Sequence, residues 1–149
     1  MAARTQRTQL AVRTWLIDTG PLVAYLDRAD PMHRPVVHTL DSFSEQLATT
    51  SAVITEAMHM LAGASDGPTL LAELVQTTDL RISESTQAEQ IRQAALLMRK
   101  YADTPMDFAD ATLVLLADAI GVVEILTLDR RGFSTYRTAK GKRFRLVLD

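Results

Sequence analysis

Apolar and polar positions fall in blocks along this chain. Trp15-Leu16-Ile17 is a short apolar run that stops at Asp18, and the run from Val122 to Leu128 stops in the same way at Asp129. Runs of this length suit strands covered on both faces, where water cannot solvate a carboxylate, so each acid belongs at its strand's end. Leu47-Ala48-Thr49 and Leu80-Arg81-Ile82 read as two further short strands. Phe144-Arg145-Leu146-Val147-Leu148 alternates as a closing strand after a turn at Lys140-Gly141-Lys142.

The segments between these runs keep helical spacing. Gly20 and Pro21 predict a turn and a first helical position, followed by the apolar face of Leu22, Val23, Tyr25 and Leu26. Residues 34–43 carry Val36, Val37, Leu40 and Phe43 on one side. Thr50 or Ser51 is a natural N-cap for a helix over 52–61, and the loop 63–68 leads to a helix near 70–75 that should form a hairpin with it. Ser85 or Thr86 is expected to cap a long helix ending near Tyr101, with Ile91, Ala94, Ala95 and Met98 on its buried face. Thr104-Pro105 should open the last helix, 106–120, and Gly121 should close it. Strands alternating with helices predict an α/β fold with a central parallel sheet and helices on both faces.

At 149 residues the chain is long enough for one domain with a real core. Residues 1–13 lack clear periodicity and read as a flexible lead-in, leaving 14–149 as a single domain. The longest apolar stretch, 111–128, is interrupted by Asp118 and Glu124 and is no membrane span. Arg4, Arg7 and Arg13 stand among polar residues where a secretory leader would be apolar, so a cytoplasmic protein is expected. There is no cysteine, so a metal site would need oxygen or imidazole ligands. The formal charge is −2, but seven Lys or Arg residues and no acid lie between Arg130 and Arg145, which leaves room for an anionic substrate.

Two further acids stand in apolar surroundings. Glu56 sits among Val53, Ile54, Ala57 and Met60, and Asp110 lies within Phe108-Ala109-Asp110-Ala111-Thr112-Leu113. Each acid has an ordinary explanation: Asp18 and Asp129 as turn formers, Glu56 as a boundary residue, and Asp107 as a first-turn acid that stabilises a helix dipole by roughly 0.3–1 kcal/mol. Together they are harder to explain. Two carboxylates about 4 Å apart repel by roughly 4 kcal/mol at an effective dielectric of 20. A shared site therefore calls for protons or a cation, and oxygen-only ligands favour Mg²⁺ or Mn²⁺.

The ordered set Leu16-Ile17-Asp18-Thr19-Gly20, Thr55-Glu56, Asp107-Phe108-Ala109-Asp110-Ala111 and Thr127-Leu128-Asp129-Arg130-Arg131-Gly132-Phe133 resembles the PIN domain, particularly the VapC-type toxin ribonucleases. The resemblance runs from about Trp15 to the C-terminus. It implies a three-layer α/β/α PIN-like fold with a mostly parallel sheet. It implies that Asp18, Glu56, Asp110 and Asp129 form the catalytic quartet around Mg²⁺ or Mn²⁺, with Asp107 as an additional acid and Thr19 and Thr127 in support. The implied activity is metal-dependent hydrolysis of RNA phosphodiester bonds by the toxin of a toxin–antitoxin pair. The implied partners are an RNA substrate, a small antitoxin protein and a second copy of the chain. Arg130 and Arg131, beside Asp129, are the candidate RNA-phosphate contacts.

The rival from another class is a PIN-fold module that binds RNA or a partner without cutting. Asp18-Thr19-Gly20 also matches the aspartic-protease tripeptide, which belongs to all-β proteins, and an aspartyl phosphotransferase would want a second acid where Gly20 stands. Among the histidines only His59, one helical turn from Glu56, is placed to reach the site. Met58, Met60, Met98 and Met106 read as core or helix contacts and Trp15 and Tyr25 as packing residues, while Tyr136 is left open.

Overall fold

The computed structural model describes residues 13–148. The flexible lead-in expected over 1–13 therefore lies outside the described residues, apart from an exposed Arg13. Twelve elements follow one another along the described chain: β1 (Thr14–Ile17), α1 (Thr19–Leu26), α2 (His33–Asp41), β2 (Gln46–Thr50), α3 (Ser51–Leu61), α4 (Gly67–Thr77), β3 (Arg81–Ser83), α5 (Ala88–Lys100), α6 (Phe108–Ile120), β4 (Glu124–Leu126), α7 (Arg130–Thr135) and β5 (Arg145–Leu146).

The strands form one sheet in the order β3-β2-β1-β4-β5, and every pairing is parallel. Leu16, Ile17, Ile125 and Leu126 are wholly buried, as apolar runs covered on both faces must be. β1 takes β2 on one side and β4 on the other, pairing Leu16 with Ile125 and Ile17 with Leu126. Successive strands spread outward from β1 in one direction, and then the chain returns to lay β4 on its other side. A parallel α/β sheet opens a crevice at such a reversal, beyond the carboxyl ends of the strands.

The helices that frame this crevice are packed against each other as well as the sheet. α1 lies against α2, α3 and α4, α3 against α4 and α6, and α5 against α6. The α3–α4 hairpin expected from sequence is thus present. α6 is the most deeply buried helix, covered at every position from Ala109 to Val114, and Gly121 ends it in a left-handed conformation at φ 68°. A residue with a side chain is strained there, so the sequence supplies glycine.

Several boundaries depart from the sequence reading. α1 starts at Thr19, two residues before Pro21, because the Asp18 side chain itself caps it. α5 is capped at Gln87 instead of Ser85 or Thr86: the Gln90 side chain accepts from the Gln87 backbone N–H at 3.1 Å, while the Ser85 hydroxyl is engaged with Ser51. On that helix Ala94 is buried, but Ile91 and Ala95 are exposed, since α6 covers only part of the apolar stripe. α6 begins at Phe108, with Asp107 as its cap, and not at Thr104-Pro105. Met60 is half exposed rather than core, whereas Met106 is buried. Trp15 packs as expected, stacked on Phe43 with ring centroids 3.8 Å apart.

A candidate acidic site at the sheet reversal

Beyond the ends of β1 and β4 lies a cavity of about 330 Å³ lined by Asp18, Thr19, Gly20, Glu56, Asp107, Asp110, Leu128 and Asp129. The four acids of the sequence-predicted quartet share this one wall, and Asp107 joins them. Thr127 sits beneath, hydrogen-bonded to Asp18. Arg130 and Arg131 are exposed on the first turn of α7, outside the lining, and the Arg130 guanidinium donates to the Leu148 carbonyl at 3.3 Å. His59 is exposed and does not line the cavity.

Each acid is held by the local structure that its neighbours in sequence create. Asp18 follows the last residue of β1 and becomes the N-cap of α1, its Oδ1 accepting from the Thr19 N–H at 2.7 Å. β4 ends at Leu126, short of the strand read up to Leu128, and Asp129 caps α7 beyond it through the Gly132 N–H at 3.0 Å. Asp107 and Asp110 form a reciprocal capping box on α6: Asp107 Oδ1 accepts from the Asp110 N–H at 2.8 Å, and Asp110 Oδ2 accepts from the Asp107 N–H at 3.1 Å. Asp107 is thus the cap of α6 and not an acid of its first turn, which is Asp110, and it also lines the cavity. Three helix N-termini, those of α1, α6 and α7, converge on one pocket, and their dipoles favour negative charge there.

Two hydroxyls tie these elements together. Thr127 Oγ1 accepts from the Asp129 N–H at 3.0 Å and donates to Asp18 Oδ2 at 2.8 Å, so one side chain sets both strand-end acids. Thr50, the N-cap of α3, bonds to Thr112 on α6 at 2.8 Å and thereby joins the helix carrying Glu56 to the helix carrying Asp110. The Thr50 cap was legible in sequence as one of two choices. Thr112 was not, and its only signal is a hydroxyl two residues after an acid in an apolar run.

Burial and mutual repulsion dominate the electrostatics. Asp18 is 8% exposed, and loss of solvent pushes its carboxyl up to about 6, against the opposing bonds from Thr127 and Thr19. Asp110, equally buried, is pushed up to about 8 by desolvation first and then by the charges of Asp18 and Asp107. Glu56 on α3 is raised by burial and by Asp107, and the nearby Thr19 hydroxyl partly offsets this. Carboxyls shifted upward by one another mark a place where a proton or a cation belongs.

The donor set is all oxygen, which suits a hard divalent cation. Among the described residues, however, no three His, Cys, Asp or Glu side chains converge into a ready-made metal cage. The capping bonds explain the spread, because each aspartate commits at least one oxygen to a backbone N–H. A cation that keeps several waters fits this arrangement better than one stripped of its shell.

The fold and site define a parallel α/β domain with an acid-lined crevice at its sheet reversal. The described residues contain no helix long and apolar enough to cross a membrane. No protein-family model matches the chain. Ribonuclease VapC26 of Mycobacterium tuberculosis is 37% identical to it over 135 residues, a match spanning 89% of this chain and 98% of that protein. The chain belongs to the VapC-type PIN-domain family. The fold also matches the crystal structure of Mycobacterium tuberculosis VapC20, a sarcin-ricin loop cleaving toxin, with a TM-score of 0.70. That match covers 79% of this chain and 91% of VapC20 at 18% identity.

Proposed function

We propose that this chain is an endoribonuclease that hydrolyses RNA phosphodiester bonds with Mg²⁺ or Mn²⁺, acting as the cytoplasmic toxin of a toxin–antitoxin pair. The observation that carries the reading is the single cavity in which Asp18, Glu56, Asp107, Asp110 and Asp129 meet at three helix N-termini. Its family membership supports an RNA substrate.

Asp18 and Asp110 are the residues that would hold the cation directly, with Glu56, Asp129 and Asp107 acting directly or through water. The bound cation supplies Lewis acidity and charge neutralisation for attack of water on phosphorus. Asp18 and Asp110 are the most buried acids of the set, so they would hold it where solvent competes least. Glu56 is half-buried and holds a proton more readily than an ordinary carboxyl, which suits it to orient the attacking water and accept its proton. The new P–O bond forms to that water as the bond to the departing ribose oxygen breaks, and that oxygen takes a proton from solvent as it leaves. Thr127 keeps Asp18 and Asp129 in register while this occurs. Arg130 and Arg131 would neutralise phosphates flanking the scissile bond.

The reading also includes a small antitoxin that blocks the acidic crevice and a homodimer of this chain. The direct test compares wild type with Asp18→Asn and Asp110→Asn on structured RNAs in Mg²⁺, Mn²⁺ or EDTA. Cleavage is expected only for wild type with metal. Chelator-resistant cleavage, or full activity in both variants, sinks the mechanism. Co-expression with a small protein, where one is encoded beside this chain, should yield a stable, inactive complex, and the lack of such a neighbour or failure to co-purify removes the antitoxin from the reading.

A further inference from the structure

Tyr136 is wholly buried and does not itself line the acidic crevice, but its hydroxyl lies against two of the segments that hold the crevice acids. It donates to the Pro105 carbonyl at 3.0 Å, two residues before Asp107 caps α6. On its other side is Gly132, the residue whose N–H holds the Asp129 carboxylate. A Cβ placed on Gly132 would stand 2.9 Å from the Tyr136 hydroxyl and 2.9 Å from the Asp129 Cγ, so the absence of a side chain there allows ring and carboxylate to approach. The ring is gripped edge-on by Phe133 at 5.1 Å and Tyr101 at 5.0 Å. Tyr101 in turn accepts from the Arg137 N–H at 3.0 Å, which locks the end of α7. Burial and the charges of Asp110, Asp129, Asp107 and Asp18 all push the Tyr136 hydroxyl above its usual range, so it stays a neutral donor.

We infer that Tyr136 is a positioning residue for the metal crevice, bracing the acidic N-terminus of α6 against Asp129 on α7 through its bond to Pro105 and its fit against Gly132. The two halves of the site come from segments joined by no strand pairing, since α6 precedes β4 and α7 follows it. Without a tie between them, the Asp107–Asp110 box and Asp129 could shift separately. The inference rests on the metal-dependent reading above. Groups that orient ligands from behind alter metal affinity by about 10–100-fold when removed.

The test is a Mn²⁺ titration of the full chain followed by the electron paramagnetic resonance signal of the free ion, with melting in EDTA measured alongside. Tyr136→Phe removes the hydroxyl and keeps the ring. It should weaken Mn²⁺ binding about tenfold and melt within about 5 °C of wild type in EDTA. Its RNA cleavage should recover toward the wild-type kcat when Mn²⁺ is raised. Phe133→Leu, which disturbs the same packing without touching the hydroxyl, should lower the melting point and leave Mn²⁺ affinity within about twofold, well short of that tenfold loss. Gly132→Ala should weaken Mn²⁺ binding more than Tyr136→Phe, because its Cβ meets the Asp129 carboxylate itself, and an effect of Tyr136→Phe as large as this direct damage would overturn a purely positioning role. Wild-type Mn²⁺ affinity in Tyr136→Phe, or equal weakening in Phe133→Leu, overturns the brace alone. A wild type that takes up no Mn²⁺ overturns the brace and the reading beneath it together.

Discussion

The ends of β1 and β4 are built to one local plan and meet different fates. In each, an apolar strand leads to an aspartate that caps the next helix, Asp18 directly after β1 for α1 and Asp129 after Thr127 and Leu128 for α7. Asp18 has both oxygens engaged, by Thr19 and by Thr127, and is buried with its carboxyl pushed up to about 6. Asp129 is half-buried, and its side chain engages a single backbone N–H, that of Gly132, through Oδ1. A repeated motif thus gives one acid that is fixed and solvent-poor and one that retains freedom. The first suits a permanent metal anchor and the second an adjustable or water-mediated contact.

The sharpest way to break the comparison is to neutralise the two acids separately. Asparagine is as good an N-cap as aspartate, so Asp18→Asn and Asp129→Asn remove charge while keeping the helix starts. Asp18→Asn should lower RNA cleavage by roughly 10³-fold or more, since a primary ligand supplies several kcal/mol of transition-state stabilisation. Asp129→Asn should cost only about 10–100-fold if it acts through water. Single-turnover cleavage at saturating Mg²⁺ measures both. Equal losses in the two variants would remove the distinction between anchor and adjustable contact.

Thr127→Val tests the link between the two ends, because it deletes the hydroxyl that serves both acids in a nearly isosteric side chain. We expect Mg²⁺ affinity to fall about tenfold, together with roughly 1–3 kcal/mol of stability from the unpaired Asp129 N–H. Calorimetric Mg²⁺ titration and urea unfolding would show it. Unchanged affinity would mean that the cation does not sense the register of the strand ends.

These expectations could be framed from sequence only in part, and the reason is physical. Asp18 and Asp129 were legible because an apolar run ending in an acid is a local pattern, and burial forces the same outcome wherever it occurs. Glu56 and Asp110 stood out as carboxylates in apolar surroundings. Their meeting in one cavity was legible through the resemblance, since spacing alone cannot bring residues 18, 56, 110 and 129 together. Thr127 was legible through the resemblance, but two other hydroxyl ties were not: Thr50 to Thr112 spans 62 positions and Tyr136 to Pro105 spans 31. α7 was missed because six residues containing Gly132 and two arginines look like a loop, and only the Asp129 cap and the burial of Phe133 make it a helix. α5 was misjudged in the opposite sense. Its periodicity shows an apolar stripe, but not that α6 covers only a part of it.

The pH dependence of stability tests the buried charge most directly. Asp18 and Asp110 titrate near 3.8 in an unfolded chain and are raised to about 6 and about 8 in the fold. Between those limits the folded state binds more protons than the unfolded state, so stability must fall as pH rises. In EDTA, the unfolding free energy should therefore decline from about pH 4 to about pH 8. Holding Asp18 ionised at the upper end costs roughly 3 kcal/mol. Mg²⁺ bound as proposed would replace protons at the same carboxylates, so the stabilisation it confers should grow with pH across that window. Asp110→Asn should flatten the upper part of the decline and Asp18→Asn the lower part, both measured by urea unfolding at a series of pH values. A metal-free stability that rises between pH 5 and 8, or a decline identical in Asp110→Asn, would show that desolvation of these two acids does not set the charge state of the site. The comparison of the strand ends would then have to rest on hydrogen bonding alone.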